Sequence, residues 1–224
     1  GVLVTEDRDA AIAHAEYYMQ DGEVVVEEFL DGEEVSLFFL ADGDTVVPLS
    51  PAQDYKRAFD GDEGPNTGGM GSYSPCPWLP DGFVDEVTKD IAQPTIDQLR
   101  TRGTPFTGLL YCGLIVTDKG VKVIEFNARF GDPETQAVLA RVDGDIAPLL
   151  HKAATGTLEA SDSVPFLDDA AVVVVLASEG YPAHPETGRV IHGTDRAAEV
   201  GGVHLAHAAT AETETGLIAT GGRV

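Results

Sequence analysis

Residues 123–136 read Val-Ile-Glu-Phe-Asn-Ala-Arg-Phe-Gly-Asp-Pro-Glu-Thr-Gln. The first five of them predict a strand in which Glu125 and Asn127 share a face, because residues i and i+2 of a strand point the same way. A carboxylate and an amide oxygen side by side suit Mg²⁺, which takes oxygen ligands and keeps positions for water and phosphate. A polar strand end near solvent gives the same pattern, so the spacing leaves both interpretations open.

Arg129 follows the carboxylate–amide pair on a turn that leads into a predicted helix. The helix is predicted to start at Asp132-Pro133, with an acidic cap and a proline in the first turn. A guanidinium at this point is suited to stabilise the charge that develops on a transferred phosphoryl group. An ion pair between Arg129 and Asp132 or Glu134 accounts for it equally well.

A second candidate site lies upstream, where Gln-Asp-Tyr-Lys-Arg (53–57) precedes Gly-Pro-Asn-Thr-Gly-Gly-Met-Gly (64–71). Consecutive glycines let backbone N–H groups approach an anion closely. Lys56 and Arg57 stand together in a chain with only 14 basic residues, so a phosphate-bearing substrate fits here. The pattern is not a Walker loop. The alternative is a flexible surface loop, and residues 51–80 are predicted to be irregular.

A third, weaker pattern is Glu-Glu-Phe-Leu-Asp-Gly-Glu-Glu (27–34), placed after a strand predicted from Val24. Backbone groups at a strand exit can bind an adenine edge, and a nearby carboxylate can accept ribose hydroxyls. Acidic loops are frequent in this sequence, so the pattern alone decides little.

Periodicity and turn signals predict the other elements. Strands are predicted at residues 2–4, 35–40, 46–49, 109–116 and 121–127, with short β segments at 171–177, 189–192, 203–206 and 217–220. Helices are predicted from a cap at Asp7 to about Met19, from 83 to 100 with a break at Pro94, and from 145 to 154.

The chain is strongly acidic, with 38 Asp and Glu against 14 Lys and Arg, a net charge of −24. Such a surface repels nucleic acid and anionic membranes. We predict a protein of a salt-rich cytoplasm, because the Debye length is only about 3 Å at 1 M salt and self-repulsion is then screened. No apolar run approaches the roughly 20 residues of a membrane span. Cys76 and Cys112 match neither a disulfide framework nor a zinc site.

Taken in order, these motifs resemble the phosphoribosylamine–glycine ligase family, the glycinamide ribonucleotide synthetases of the ATP-grasp superfamily. Gly-Tyr-Pro (180–182) and Thr-Gly-Arg-Val-Ile-His-Gly (187–193) resemble the C-terminal domain of that family. The resemblance implies an α+β fold. An ATP-grasp core of antiparallel sheets with flanking helices would cover residues 1–165, and a small β-rich C-terminal domain would cover 166–224, both incomplete.

The resemblance also implies an activity. The enzyme would ligate glycine to 5-phosphoribosylamine through a glycyl phosphate, giving glycinamide ribonucleotide, ADP and phosphate in purine synthesis. It would use ATP with Mg²⁺ or Mn²⁺, bind neither nucleic acid nor membrane, and exist as a monomer or weak homodimer. Two alternatives stay open: another ATP-grasp carboxylate–amine ligase, or a catalytically silent nucleotide-binding fragment.

Site residues follow from the same resemblance. ATP would be held by Glu27, Glu28, Leu30 and Glu34. The metal would be held by Glu125 and Asn127. Arg129 and Asp132 would be catalytic. Glycine or the phosphoribosyl substrate would be held by Asp54, Lys56, Arg57, Gly68, Gly69, Met70 and Gly71.

The sequence departs from the family pattern in three respects. Tyr55 stands where the family usually has His, and Ser72 stands where it usually has Ala. The predicted strand at 109–116 lacks the second metal-binding carboxylate of many other ATP-grasp enzymes, which fits this family and leaves few metal ligands. The N-terminal domain of the family and its phosphate-binding lysine are missing, so the chain is predicted to be a fragment.

Overall fold

The computed structural model describes residues 2–61 and 63–224. Within them lie nine strands and six α-helices, one of which continues through a π-helical turn at Thr88–Ala92. In chain order these elements are α1 (Arg8–Tyr18), β1 (Glu33–Asp42), β2 (Val46–Pro48), β3 (Gln53–Phe59), β4 (Glu63–Ser74), α2 (Phe83–Val87), α3 (Gln93–Thr101), β5 (Thr107–Thr117), β6 (Gly120–Asn127), α4 (Glu134–Leu139), α5 (Ala147–Thr155), β7 (Ala171–Val174), α6 (Thr194–Ala198), β8 (Thr210–Thr213) and β9 (Gly216–Ala219).

The centre of the fold is a four-stranded antiparallel sheet in the order β2-β1-β5-β6. Alternate residues of β1 and β5, among them Leu37 and Cys112, form a core with Phe83, Val87 and Ile96 of the helical segment α2–α3. Burying one such large apolar side chain contributes about 1.5–3 kcal/mol. The helical segment therefore covers one face of β1 and β5 at the centre of the sheet.

The opposite face of the central sheet changes character along its length. At one end, Phe38, Leu40 and Leu109 pack against Val138 of α4 and Ala153 of α5 in a second apolar core. Towards the start of β1 the same face becomes polar. That polar end is where the predicted site residues collect.

The segment predicted to be an irregular loop is a β-hairpin, so that prediction was wrong. Strands β3 and β4 pair through two register shifts, and β4 also pairs with β7 in a sheet of order β3-β4-β7. The side chains of β3 alternate between half-buried and exposed, but Asp54 and Lys56 on its half-buried side are charged. Apolar alternation, the usual sequence signal of a strand, is therefore missing.

The helix predicted from 83 to 100 is present, but the break predicted at Pro94 does not interrupt it, since helical residues run from Phe83 to Thr101. Proline has no N–H to bond the preceding turn, and the turn before it, Thr88–Ala92, is π-helical. The predicted cap at Asp7 is also confirmed, because its carboxylate accepts from the backbone N–H groups of Asp9 (2.9 Å) and Ala10 (3.1 Å).

Three predicted strands are absent from the described residues: 2–4, the stretch from Val24 to Leu30, and 203–206. Val25 and Val26 are 78% and 89% exposed. β-Branched residues favour strands only when a neighbouring strand pairs with them and covers their side chains. Residues 189–192 form one isolated bridge, from Val190 to Ile218.

The C-terminal residues join the rest of the fold at several points. Arg141, which is 7% exposed, donates to the hydroxyls of Ser50 and Ser74 and to the carbonyl oxygens of Leu167 and Asp169. It thereby ties the segment before β7 to the end of β4. The boundary at 165/166 stays a prediction. None of the helices described, from residue 2 to 61 and from 63 onward, is long and apolar enough to cross a membrane.

Candidate active site

The predicted metal ligands lie at the polar end of the central sheet. Asn127 donates through Nδ2 to Oε1 of Glu125 at 2.9 Å, which shows that the two side chains lie side by side. Opposite them on β5 is Gly113. A Cβ atom at Gly113 would stand 3.1 Å from Cγ of Glu125 and 3.3 Å from the ring of Tyr111, so glycine leaves the room in which these side chains meet.

A β-bulge precedes Glu125. The pairing passes from Gly113–Glu125 to Leu114–Val123, which leaves Ile124 as an extra residue in β6. Bulges re-aim side chains and are common next to active sites. The strand predicted from strict alternation is therefore present, but the end that carries Glu125 and Asn127 is offset from the regular part by one residue.

A buried carboxylate lies beside this pair. Glu134, at the start of α4, is 4% exposed, and its Oε1 accepts from the hydroxyls of Tyr111 (2.9 Å) and Ser36 (3.2 Å). Burial, together with the nearby Glu134 charge, raises the pKa of Tyr111, which therefore stays a hydrogen-bond donor. A Cβ at Gly131 would lie 2.6 Å from Oε2 of Glu134, so the turn before α4 can fold onto the carboxylate only as glycine.

Three further charged side chains lie close together, one on the start of β1 and two on β3. Lys56 donates to Glu34 at 2.9 Å, and its Nζ lies 3.9 Å from Oδ2 of Asp54. The Asp54 side chain is only 6% exposed. Burial raises the pKa of Asp54 to about 6; the positive charge of Lys56 opposes this, and the charges of Glu134 and Glu34 add to it. Although burial opposes it, the two carboxylates raise the pKa of Lys56, which stays charged.

Other predicted residues lie at the margins of this cluster. Arg57 is exposed and donates to the carbonyl oxygen of Gly64 in its own hairpin (2.7 Å). Arg129 is exposed and donates to the carbonyl oxygen of Phe130 (2.9 Å). Among the described ion pairs Arg129 has none with an acidic residue, so the alternative in which it pairs with Asp132 or Glu134 is wrong. The guanidinium of Arg129 therefore lies at the edge of this cluster and faces solvent.

The proposed adenine residues lie outside the sheets. Glu27, Glu28 and Leu30 belong to the extended segment that precedes β1, with both glutamates exposed. Gly32 then passes so close to β5 that a Cβ there would stand 2.1 Å from the carbonyl oxygen of Val116. This close approach fixes where the segment enters the sheet, next to Glu34.

The Gly-rich strand, which is β4 with Gly68, Gly69 and Gly71, is held by side chains of the protein. The N–H of Gly68 donates to the Tyr181 hydroxyl (2.9 Å), and the N–H of Gly69 donates to Oγ1 of Thr67 (3.0 Å). These two groups, expected from the sequence to face an anion, are thus already engaged. Met70 accepts from the N–H of Val175 (3.0 Å), and Gly71 pairs with both neighbouring strands.

The residues present fit a divalent cation. Among the described residues no three His, Cys, Asp or Glu side chains form a metal-binding group. The pair of Glu125 and Asn127 still offers Oε2 and Oδ1, the oxygen atoms that their mutual hydrogen bond leaves over. Two protein oxygens with open positions for phosphate and water are typical of Mg²⁺ sites that bind nucleotide.

Comparison with known families agrees with this geometry. A family model described as phosphoribosylglycinamide synthetase, ATP-grasp (A) domain, matches residues 1–135, and the C-domain model of the same synthetase matches residues 171–224. The chain belongs to the phosphoribosylglycinamide synthetase family. It is 64% identical over 226 aligned residues to a phosphoribosylamine–glycine ligase of Leifsonia xyli and 56% identical to one of Streptomyces coelicolor.

Each of these alignments covers 100% of the chain and 54% of the relative, so the chain spans about half the length of the curated relatives that it matches. The structure of a phosphoribosylamine–glycine ligase from Thermotoga maritima superposes with a TM-score of 0.88 at 32% identity, covering 100% of the chain and 56% of that structure. Biotin carboxylase from Campylobacter jejuni superposes over 81% of the chain and 39% of that structure at 15% identity and a TM-score of 0.58, which supports the fold alone. The predicted α+β, ATP-grasp architecture is confirmed.

Five residues that build this site were not predicted from the sequence to belong to it. They are Ser36, Tyr111, Glu134, Tyr181 and Arg223. A local signal existed for Ser36, the one polar residue in the run Val35–Leu40. Tyr181 and Arg223 meet the Gly-rich strand from more than a hundred residues away, where no local pattern could reveal them.

Proposed function

We propose that this chain carries the ATP-binding and catalytic part of an enzyme that ligates glycine to 5-phosphoribosylamine in purine synthesis. The observation that carries the proposal is the Glu125–Asn127 pair beside the solvent-facing Arg129, at the open polar end of an ATP-grasp sheet. The high identity to phosphoribosylamine–glycine ligases supports the choice of substrates.

The overall reaction has two steps. A carboxylate oxygen of glycine attacks the γ-phosphorus of ATP, the bond from that phosphorus to the β–γ bridging oxygen breaks, and ADP leaves with glycyl phosphate formed. The amine of phosphoribosylamine then attacks the acyl carbon, loses a proton and displaces inorganic phosphate, which leaves the amide of glycinamide ribonucleotide. The two steps consume one ATP for each amide bond.

The residues of the chain contribute orientation and charge. Glu125 and Asn127 would hold Mg²⁺ or Mn²⁺, which when bound neutralises phosphate charge. Arg129 would approach the transferred phosphoryl group from the rim, where its guanidinium is exposed. Glu27, Glu28 and Leu30 would bind adenine. Glu34, the fourth residue assigned to ATP, would accept the ribose hydroxyls through the oxygen that Lys56 leaves over.

The substrates would lie between the two sheets. Asp54 and Lys56 place charges of both signs there, which suits the amino and carboxylate groups of glycine or the phosphate and amine of its partner. Arg57 and the part of β4 formed by Gly68, Gly69, Met70 and Gly71 would border these charges. Because the N–H groups of Gly68 and Gly69 are engaged, the backbone there would shape the site more than it binds an anion.

We also propose the compartment and the assembly. The cytoplasm is the proposed location, because the two cysteines are free and buried, as in proteins of reducing compartments. A monomer or weak homodimer is the proposed assembly, with small-molecule substrates as the partners.

The test is an assay of the full-length gene product with ATP, Mg²⁺, glycine and freshly made phosphoribosylamine, following ADP release. We expect release to require both co-substrates and to be lost in Glu125→Ala. Glu212→Ala is the matched control, because Glu212 is an exposed carboxylate of the C-terminal strand β8. This variant should keep full activity.

Other outcomes distinguish the alternatives. ADP release with a different acid or amine, but not with this pair, would indicate another carboxylate–amine ligase. Nucleotide binding without ADP release under any substrate pair would indicate a silent fragment. Unchanged activity in Glu125→Ala would remove the proposed metal role.

A further inference from the structure

Arg223 makes an unusual set of contacts for a residue so far along the chain. Its Nη1 donates to the carbonyl oxygens of Gly68 (2.7 Å), Asp132 (3.1 Å) and Gly69 (3.3 Å), and its Nη2 donates to Oδ2 of Asp132 (3.1 Å). The side chain is 23% exposed. One guanidinium therefore joins the Gly-rich strand β4 to the turn that precedes α4.

A second C-terminal side chain, that of Tyr181, also binds the Gly-rich strand β4. The Tyr181 hydroxyl accepts from the N–H of Gly68 at 2.9 Å. A Cβ at Gly222 would lie 2.2 Å from the Tyr181 ring, so the ring rests directly on the backbone next to Arg223. Gly68 thus has its N–H bound by one C-terminal side chain and its C=O bound by another.

Shape restricts the same junction. A Cβ at Gly68 would stand 3.1 Å from Cζ of Arg223, and a Cβ at Gly69 would stand 2.4 Å from Cδ of Pro133. Gly69 also has φ +108, a conformation that residues with side chains rarely adopt. The backbone at Gly69 therefore requires glycine, whereas a side chain at Gly68 would displace the guanidinium of Arg223 by a few tenths of an ångström.

We infer that Arg223 and Tyr181 are positioning residues that hold the Gly-rich strand and the 129–134 turn in one fixed arrangement, so that substrate meets a preformed site. This inference rests on the proposed function for the identity of the substrate. Asp132 then has a positioning role rather than a catalytic one, because its two carboxylate oxygens accept from Arg223 and Gln136.

The arrangement matters because both the Gly-rich strand and the 129–134 turn lie next to residues of the proposed site. Glu134, two residues after Asp132, accepts from the Tyr111 hydroxyl beside Glu125, while β4 pairs with β3 at Asp54. A small displacement of a positioning group costs catalysis heavily, about 100-fold for a misplacement of 1 Å. Charged hydrogen bonds to carbonyl oxygens also limit this displacement more firmly than neutral ones.

The test compares Arg223→Gln, Arg223→Lys and Tyr181→Phe in the full-length gene product. We expect Arg223→Gln to raise KM for glycine or phosphoribosylamine about tenfold or more. KM for ATP should stay within about twofold, because the residues assigned to adenine and ribose lie before β1 and at its start, away from Arg223. Arg223→Lys should be intermediate, since an ammonium is a point donor without the planar fork. Tyr181→Phe should show a smaller rise of the same kind.

Hydrogen exchange measures the strand directly. In Arg223→Gln the amides of residues 66–73 should exchange about tenfold faster, whereas those of β1 and β5 should not change. Arg189→Gln is the matched control, because Arg189 lies in the same C-terminal region, is exposed and pairs only with the nearby Glu179 and Glu186 among the described ion pairs. It should alter neither readout.

Unchanged exchange at 66–73 in both Arg223→Gln and Tyr181→Phe would overturn the inference. So would a uniform loss in which KM for ATP and exchange throughout the chain change together, because that indicates a general folding role. If the unaltered protein does not ligate glycine, the proposed function fails, and the exchange comparison still decides whether the two side chains hold the strand. If Arg223→Gln does not fold, Tyr181→Phe gives the decision.

Discussion

Replacing Asp54 by Asn is expected to stabilise the protein, because it removes a buried negative charge. Burial raises the pKa of this carboxyl from 3.8 to about 6. A folded-state pKa above the unfolded value means that the folded state favours the protonated form, so the ionised carboxylate opposes folding. The penalty is absent below pH 3.8, grows through the window up to pH 6, and is complete above it.

The magnitude follows from the two pKa values. A pKa raised by about two units corresponds to a penalty of about 3 kcal/mol at pH 7.5 and about half of that at pH 5. The attraction of Lys56 is already contained in the raised pKa. Asp54→Asn should therefore gain up to about 3 kcal/mol at pH 7.5 and about half as much at pH 5.

Urea unfolding of the two proteins at both pH values measures this difference. Asp118→Asn in the exposed turn between β5 and β6 is the control, and its effect should stay within about 0.5 kcal/mol. The reasoning is refuted if Asp54→Asn is no more stable than the unaltered protein at pH 7.5, or if its gain does not shrink on acidification.

Four further outcomes are expected. Gly69→Ala should lower the free energy of unfolding in urea by about 2 kcal/mol more than Gly120→Ala does. Both glycines have φ near +100°, but only a Cβ at Gly69 would clash with Pro133. Arg141→Met should cost about 3 kcal/mol in the same assay, since it leaves two buried serine hydroxyls without their donor. The two buried thiols, whose pKa burial raises to about 12, should resist iodoacetamide at pH 8 until urea is added; labelling of the folded protein would contradict this. If the acidic surface is adapted to salt, dialysis from about 1 M KCl into low salt should lower the unfolding midpoint, and an unchanged midpoint would end that hypothesis.

The central sheet could be predicted because its signals are local. The run Val35–Leu40 and the turns at Asp42-Gly43 and Asp118-Lys119-Gly120 place β1, β2, β5 and β6 without any knowledge of their partners. Glu125 and Asn127 could be paired for the same reason, since a spacing of two in a strand fixes a shared face. Local patterns also gave the helix that starts at Phe83, although not its π-helical turn.

The hairpin of β3 and β4 could not be predicted because its stability is not local. Asp54 and Lys56 put charges on the half-buried side of β3 and hide its alternation, while β4 carries glycines that lower strand propensity. Val25 and Val26 show the opposite case, in which high propensity gives no strand because no described strand pairs with them. The contact from Arg223 to Gly68 spans 155 residues and has no sequence signal.

The pairing of β4 with β7 has a consequence for synthesis on the ribosome. Ser74 ends β4, and its partner Ala171 is made 97 residues later (171 − 74). At about 5–20 residues per second, β4 waits roughly 5–20 s with one edge unpaired. An open edge can template pairing with another nascent chain. We therefore expect aggregation during translation to depend on how quickly residues 171–174 emerge, so that slow codons between β4 and β7 would lower the yield of folded protein.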